Sequence, residues 1–224
     1  MAERIRKYDP QRPIEVWTWG YEAPWDAFVF GRMYALDCQL LRIPGNDQYL
    51  AGWEARSHAM CLTKHGCVAM LDADTFINMA INFDFAGDAL LFHEKPQFNY
   101  KHPEFCDFFG LPRREDGYVN YDIHFGIYNR HMDGCAKMLQ ATSDLLGKGP
   151  QCYRQARVVG DQDIRNGIIH QLQTRITESP YYTAGQAMIP LMEQLRLKSP
   201  ILHQREKVMD HTGYTALMAQ LEAK

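Results

Sequence analysis

"VAMLDADTFI", residues 68–77, is an apolar run that breaks off on two aspartates one residue apart. Val68, Ala69, Met70 and Leu71 have the character of a buried strand, and Asp72 and Asp74 fall at its end. Side chains two apart in a strand point the same way, so the alternation predicts both carboxylates on one side. Two like charges held that close repel unless a cation neutralises them. Oxygen ligands suit a hard divalent ion such as Mg²⁺ or Mn²⁺. The plainer reading is a pair of carboxylates on a surface turn, one of them capping the next helix. The flanking sequence has to decide.

Upstream, "IEVWTW" (14–19) is a β-rich run closed by Gly20, and "PWDAFVFGRMYALDC" (24–38) has helical length and spacing. "QLLRIPG" (39–45) is a second short strand, stopped by Pro44 and Gly45. "QYLAGWEARSHAMCLTKHG" (48–66) reads as a helix with Gly66 as its stop. Strand, helix, strand, helix, strand implies parallel strands joined by crossover helices. Downstream, "ALLFHE" (89–94) and "VNYDIHFGIYNR" (119–130) are strand-like, and "MDGCAKMLQATSDLLG" (132–147) is helical. "DQDIRNGIIHQLQT" (161–174) is a helix with an acidic first turn, and "SPILHQ" (199–204) is a late strand before a terminal helix. The expected fold is a single α/β domain, a Rossmann-like, mostly parallel sheet flanked by helices. In open sheets of this kind ligands sit beyond the carboxyl ends of the strands, where Asp72 and Asp74 lie.

A chain of 224 residues, 46% hydrophobic and 23% charged, can bury one substantial core. Its net charge of −3 gives no global field that recruits nucleic acid or an acidic membrane. The six cysteines, Cys38, Cys61, Cys67, Cys106, Cys135 and Cys152, form no CxxC pair and read as reduced core residues. The start MAERIRKYDPQRP is polar, a leader over 1–13 rather than an apolar signal, and no stretch approaches a membrane span. A soluble, cytoplasmic protein is expected.

Two families place such an acidic pattern after a buried strand. "LDADTF" resembles the DxDxT motif of haloacid-dehalogenase-like phosphatases, which would make Asp72 the nucleophile and Asp74 the acid. "VVGDQD" (158–163) is similar to the later strand that carries metal ligands there. That motif usually follows the first strand of its domain, whereas two strand–helix units precede it here.

The chain also resembles retaining glycosyltransferases of the GT-A fold, especially the family 8 type that includes lipo-oligosaccharide galactosyltransferases. "ARSHAMCLTKHGCVAMLDAD" is similar to that family's helix with an Arg, then strand, then DxD. "YDIHFGIYNR" resembles its later strand, "GDQDIRNG" its DQDILNG segment, and "SPILHQREK" the strand that ends in a metal-binding His followed by Lys. These pieces stand in family order between residues 48 and 207. The resemblance divides the chain into a nucleotide-binding half (14–78), an acceptor and catalytic half (79–207) and a C-terminal helix (208–224).

What the resemblance implies is a metal-dependent transfer of a sugar from a nucleotide-sugar donor, UDP-linked by preference, to a hydroxyl acceptor with retention. Asp72, Asp74 and His203 would hold Mn²⁺ or Mg²⁺, with His211 in "DHTGY" as the rival third ligand. Arg56, Asp72 and Lys207 would contact the donor, and Trp19 or Tyr21 would stack its base. Gln162 would lie beneath the anomeric carbon, with Asp161 and Asp163 on donor hydroxyls and Asp163 as the alternative transient nucleophile. For each residue a plainer account exists: a satisfied core His, a solvated Lys or Arg, a well-capped helix start. The acceptor is read as a saccharide or another hydroxyl compound. Arg113 and Arg114 admit DNA with hydroxymethylated bases, which in a viral setting would place the protein in host cytoplasm.

Overall fold

The β-branched run after Pro13 forms β1 (Ile14–Thr18) in the computed structural model. It pairs in parallel with β2 (Cys38–Arg42), from Ile14 opposite Cys38 to Thr18 opposite Arg42. The structure describes residues 1–18, 27–43, 52–72, 75–94, 109–111, 119–146, 161–181 and 201–203. A parallel pair needs a crossover, which α2 (Ala27–Ala35) supplies. Asp37 makes the turn back at φ 52, a left-handed geometry that Asp tolerates better than most residues. α3 (Gly52–Leu62) lays Ala55 and Ala59 against Trp17 and Ile43, small side chains that let the helix sit close to β1. The expected alternation of strand and helix is therefore present from the start.

The central sheet has the order β3 (Cys67–Leu71), β6 (Asn120–Asn129), β5 (Ala89–Glu94), β7 (Ile176–Glu178). β6 runs antiparallel to β3 and to β5, while β7 is parallel to β5. Three strands therefore share a direction and only β6 opposes them, in keeping with a mostly parallel α/β sheet. The strand period of two sorts the side chains into two cores. Met70, Leu91 and Tyr128 face one side, where α3, α4 (Asp133–Leu146) and α5 (Asp161–Leu172) contribute Met60, Met138, Leu139, Ile164 and Ile168. Leu90, Phe125 and Ile127 face the other, with Ile77 and Tyr181. Gly126 is required where β6 meets β5, because a Cβ there would come within 2.6 Å of Leu91 Cδ2.

Two short strands, β4 (Thr75–Ile77) and β7, and one helix were not foreseen, whereas the late strand expected at 199–204 is present as β8 (Ile201–His203). β4 and β8 pair antiparallel, and β7 has only three residues, too few for a period of two to register. The polar leader folds: α1 (Ala2–Tyr8) turns Ile5 and Tyr8 onto the second core and buries Arg4. Arg6 of the same helix donates to Leu36 O (2.7 Å) and Asp37 O (2.9 Å), tying α1 to the α2–β2 turn. The strand alternation expected to carry both aspartates onto one side stops at Leu71. Thr75 N–H donates to Asp72 O at 3.0 Å, and Thr75 is already the first residue of β4. The terminal helix expected at 208–224 lies outside the described residues.

Four described cysteines, Cys38, Cys61, Cys67 and Cys135, are free thiols, and burial pushes each pKa up. They behave as small core hydrophobes. Among the described residues no helix is long and apolar enough to cross a membrane.

Candidate active site

The parity of β3 sets the site. Cys67, Ala69 and Leu71 pack against one core and Val68 and Met70 against the other, so the next residue, Asp72, falls on the helix side. Arg56 of α3 meets it there, its Nη1 donating to Asp72 Oδ1 in an ion pair. The two side chains are only 17% and 23% exposed, so solvent screens the pair less than a surface salt bridge, while their lost hydration offsets part of the stronger attraction. Two residues singled out from sequence are thus brought into contact.

The second wall comes from α5. The helix starts at Asp161, and Gln162 lies in its first turn, partly exposed. The first-turn amides of a helix lack partners within it and lend the end a partial positive charge. Two buried polar residues hold this turn in place. Arg165, fully buried, donates from Nη1 to the Tyr128 hydroxyl (2.7 Å) and from Nη2 to Ser57 Oγ (3.3 Å), next to Arg56. Burial raises the Tyr128 pKa, which keeps the phenol neutral and able to accept. Asn166 accepts the Tyr121 N–H at 2.7 Å and donates to Tyr121 O (2.9 Å) and Gln162 O (2.8 Å). Gly167 completes the seat: a Cβ there would come 2.7 Å from Leu111 Cδ1. His170, a turn further on, stacks on Tyr121 and bonds Val119 O at 2.7 Å.

Reading the sequence for chemistry stopped at Asp161, Gln162 and Asp163 and missed Arg165 and Asn166. The available signal was a polar pair set among isoleucines in "IRNGII".

The third element is the β4–β8 pair, whose register puts His203 opposite Thr75, the residue after Asp74. Only the main chain of His203 is described, as for Asp161 and Asp163. Asp74, Trp19, Tyr21, Lys207, His211, Arg113 and Arg114 lie outside the described residues. Among the described residues no three His, Cys, Asp or Glu side chains converge on a metal position. The one described carboxylate of the expected set, Asp72, stands just past the end of β3, its main-chain O accepting from Thr75 of β4. A carboxylate such as Asp72 is the kind of oxygen ligand that suits a hard ion such as Mn²⁺ or Mg²⁺.

A parallel β-α-β opening and a central sheet with one reversed strand make a mixed α/β domain, and its likeness to a solved galactosyltransferase makes the fold one of GT-A type. The structure is similar over 99% of this chain to that of the galactosyltransferase LgtC in complex with donor and acceptor sugar analogs. The TM-score is 0.56, identity is 13%, and 89% of that chain is covered. An active-site glutamine-to-glutamate mutant of LgtC gives a TM-score of 0.55 at 12% identity, with coverage of 99% and 89%. At this identity the likeness is one of fold. No family model matches the sequence, and no curated protein matches it significantly.

Proposed function

We propose that the protein is a metal-dependent glycosyltransferase that moves a hexosyl or pentosyl group from a nucleotide sugar to a hydroxyl acceptor with retention. One observation carries the reading: Arg56 pairs with Asp72 at the end of β3, and the next residue of α3, Ser57, accepts a hydrogen bond from Arg165 on the helix that starts at Asp161, within a fold shared with a galactosyltransferase. Asp72, Asp74 and His203 would hold Mn²⁺ or Mg²⁺, which when bound supplies Lewis-acid charge for the leaving diphosphate. The β4–β8 register supports His203 over His211, since it ties His203 to the strand that follows Asp74. Arg56 and Lys207 add positive charge for the donor, and Trp19 or Tyr21 stacks its base. Gln162 faces the anomeric carbon, with Asp161 and Asp163 on donor hydroxyls. That LgtC has an active-site glutamine supports the assignment of Gln162. The phosphatase reading needs Asp72 as a free nucleophile, and Asp72 is held by Arg56. Saccharides are the favoured acceptors, and hydroxymethylated DNA remains the alternative.

The test is binding and hydrolysis of a panel of UDP- and GDP-sugars with Mn²⁺ or Mg²⁺. Asp72→Ala is expected to abolish metal-dependent nucleotide binding and leave the fold intact. Gln162→Ala is expected to keep that binding but lose transfer by roughly 10- to 1000-fold, the scale of one electrostatic contact made in the transition state. Product with inverted configuration would remove the retaining assignment. Hydrolysis of simple phosphate esters without nucleotide-sugar binding would hand the protein to the phosphatases.

A further inference from the structure

We propose that Asn166 is a positioning residue: its carboxamide replaces a missing strand at β6 and so fixes where Gln162 stands relative to Asp72. The inference rests on the glycosyltransferase reading of the Asp161–Asp163 turn. β3 leaves β6 at the Leu71–Phe125 pair, while β6 continues back to Asn120 with β5 along its other edge. In an antiparallel strand a residue sends its N–H and C=O to the same edge. Both groups of Tyr121 go to Asn166, so they point away from β5, to the edge that β3 has vacated. Left alone, a donor and an acceptor in this part-buried place would each cost about 1–3 kcal/mol. A carboxamide offers one acceptor and two donors, the complement of a peptide group with one hydrogen to spare.

The spare hydrogen goes to Gln162 O, one turn earlier in α5. A single side chain, 2% exposed, therefore joins the main chain of Gln162 to the main chain of Tyr121. Asp at this position would present a carboxylate to two carbonyl oxygens, and Leu would satisfy none of the three groups. Displacement of the turn moves Gln162 without touching Arg56 or Asp72. Rate, not donor affinity, is the quantity that suffers.

The experiment follows hydrolysis of UDP-galactose and UDP-glucose with Mn²⁺ in wild type, Asn166→Asp and Asn166→Leu, alongside thermal unfolding and amide exchange at Tyr121. Arg130→Ala is the stability control. Arg130 closes the end of α3 by donating to Cys61 O (3.0 Å) and His65 O (2.9 Å), away from the Gln162 turn. In Asn166→Asp we expect kcat to fall roughly 10- to 100-fold, KM to stay within about threefold, and the Tyr121 amide to exchange faster. Arg130→Ala should lower Tm with kcat unchanged. The positioning role is overturned if Asn166→Asp keeps the wild-type kcat, or loses no more of it than Arg130→Ala at equal loss of Tm. Unchanged Tyr121 exchange overturns the clamp itself, whatever the activity. A wild-type protein that neither binds nor hydrolyses any nucleotide sugar overturns the glycosyltransferase reading instead, and the exchange measurement tells the two failures apart.

Discussion

Two arginines are buried on opposite faces of the central sheet, and they are held in different ways. Arg165, on the helix face, reaches side chains of two other elements: the Tyr128 hydroxyl on β6 and Ser57 on α3. Its guanidinium also stands 5.4 Å from the Tyr128 ring centre. Arg4, 1% exposed beside the second core, bonds Ile77 O (3.1 Å), Asn78 Oδ1 (2.6 Å) and Tyr8 in its own helix. Burying a cation is costly unless hydrogen bonds offset the lost water. Arg165 offsets it with partners far apart in sequence, so it locks the relative placement of α3, β6 and α5. Arg4 offsets it with a main-chain carbonyl, its own helix and one loop side chain, so it pins a short strand to a terminal helix. The difference predicts global consequences on one face and local ones on the other.

The largest effect is expected from Arg165→Ala. Removal leaves a cavity and orphans the Tyr128 hydroxyl, which together should cost about 3–5 kcal/mol in urea unfolding with m unchanged. Arg165→Met restores volume without hydrogen bonds. If Met recovers most of the loss, packing rather than bonding is what holds α5, and the contrast with Arg4 disappears.

Arg4→Ala should cost less, about 1.5–3 kcal/mol for hydrogen bonds to a charged group, and the loss should be local. Amide exchange in β4 should quicken more than in β3 or β6. On the proposed ligand set, β4 carries β8 and with it His203, so Mn²⁺ affinity should fall while the affinity for metal-free nucleotide holds. Equal exchange changes across all strands would show that Arg4 belongs to the global core and erase the distinction.

The same contrast explains which parts of the molecule were readable in the sequence. "CVAML" and "ALLFHE" announce strands because each is a short continuous apolar run, and both fall where the structure puts them. The α4 stretch has helical spacing and ends close to its glycine. The acidic end of β3 and the "DQD" helix start were also visible, because polar residues interrupt apolar pattern there. What stayed hidden depends on partners distant in the chain. "AERIRKY" reads as a solvated tail until Ile77 and Asn78 give Arg4 its bonds. Arg165 and Asn166 read as ordinary helix polar residues until β6 is laid across them. The order β3-β6-β5-β7 joins strands dozens of residues apart, and no local period encodes it. The charges of the candidate site stand out in the sequence; Arg165 and Asn166, which brace its helix, do not.

The smallest effect at neutral pH compares two thiols across the same sheet. Cys135, at the start of α4 on the Arg165 face, is fully buried, and its pKa is pushed from an ordinary 9.0 up to about 12 by burial and then by Asp88. Cys67, on the Arg4 face, is only partly buried; burial raises its pKa, and Arg12 pulls it back. A thiol reagent should therefore modify Cys67 before Cys135 in the native protein, because the thiolate is the reacting form. The raised pKa also fixes the sign of a stability term. Between pH 9.0 and about 12 the unfolded chain has lost the Cys135 proton and the native chain keeps it. The contribution is complete below pH 9.0 and drains away as pH climbs towards 12, at no more than about 1.4 kcal/mol per pH unit for one group. Cys135→Ala removes that term, so its stability curve should converge on that of wild type between about pH 8.5 and 10.5, whereas Cys67→Ala should change the slope less. Parallel curves for wild type and Cys135→Ala over that range would mean that Cys135 ionises in the native state as easily as in the unfolded chain, and the helix face would lose its claim to be the drier of the two.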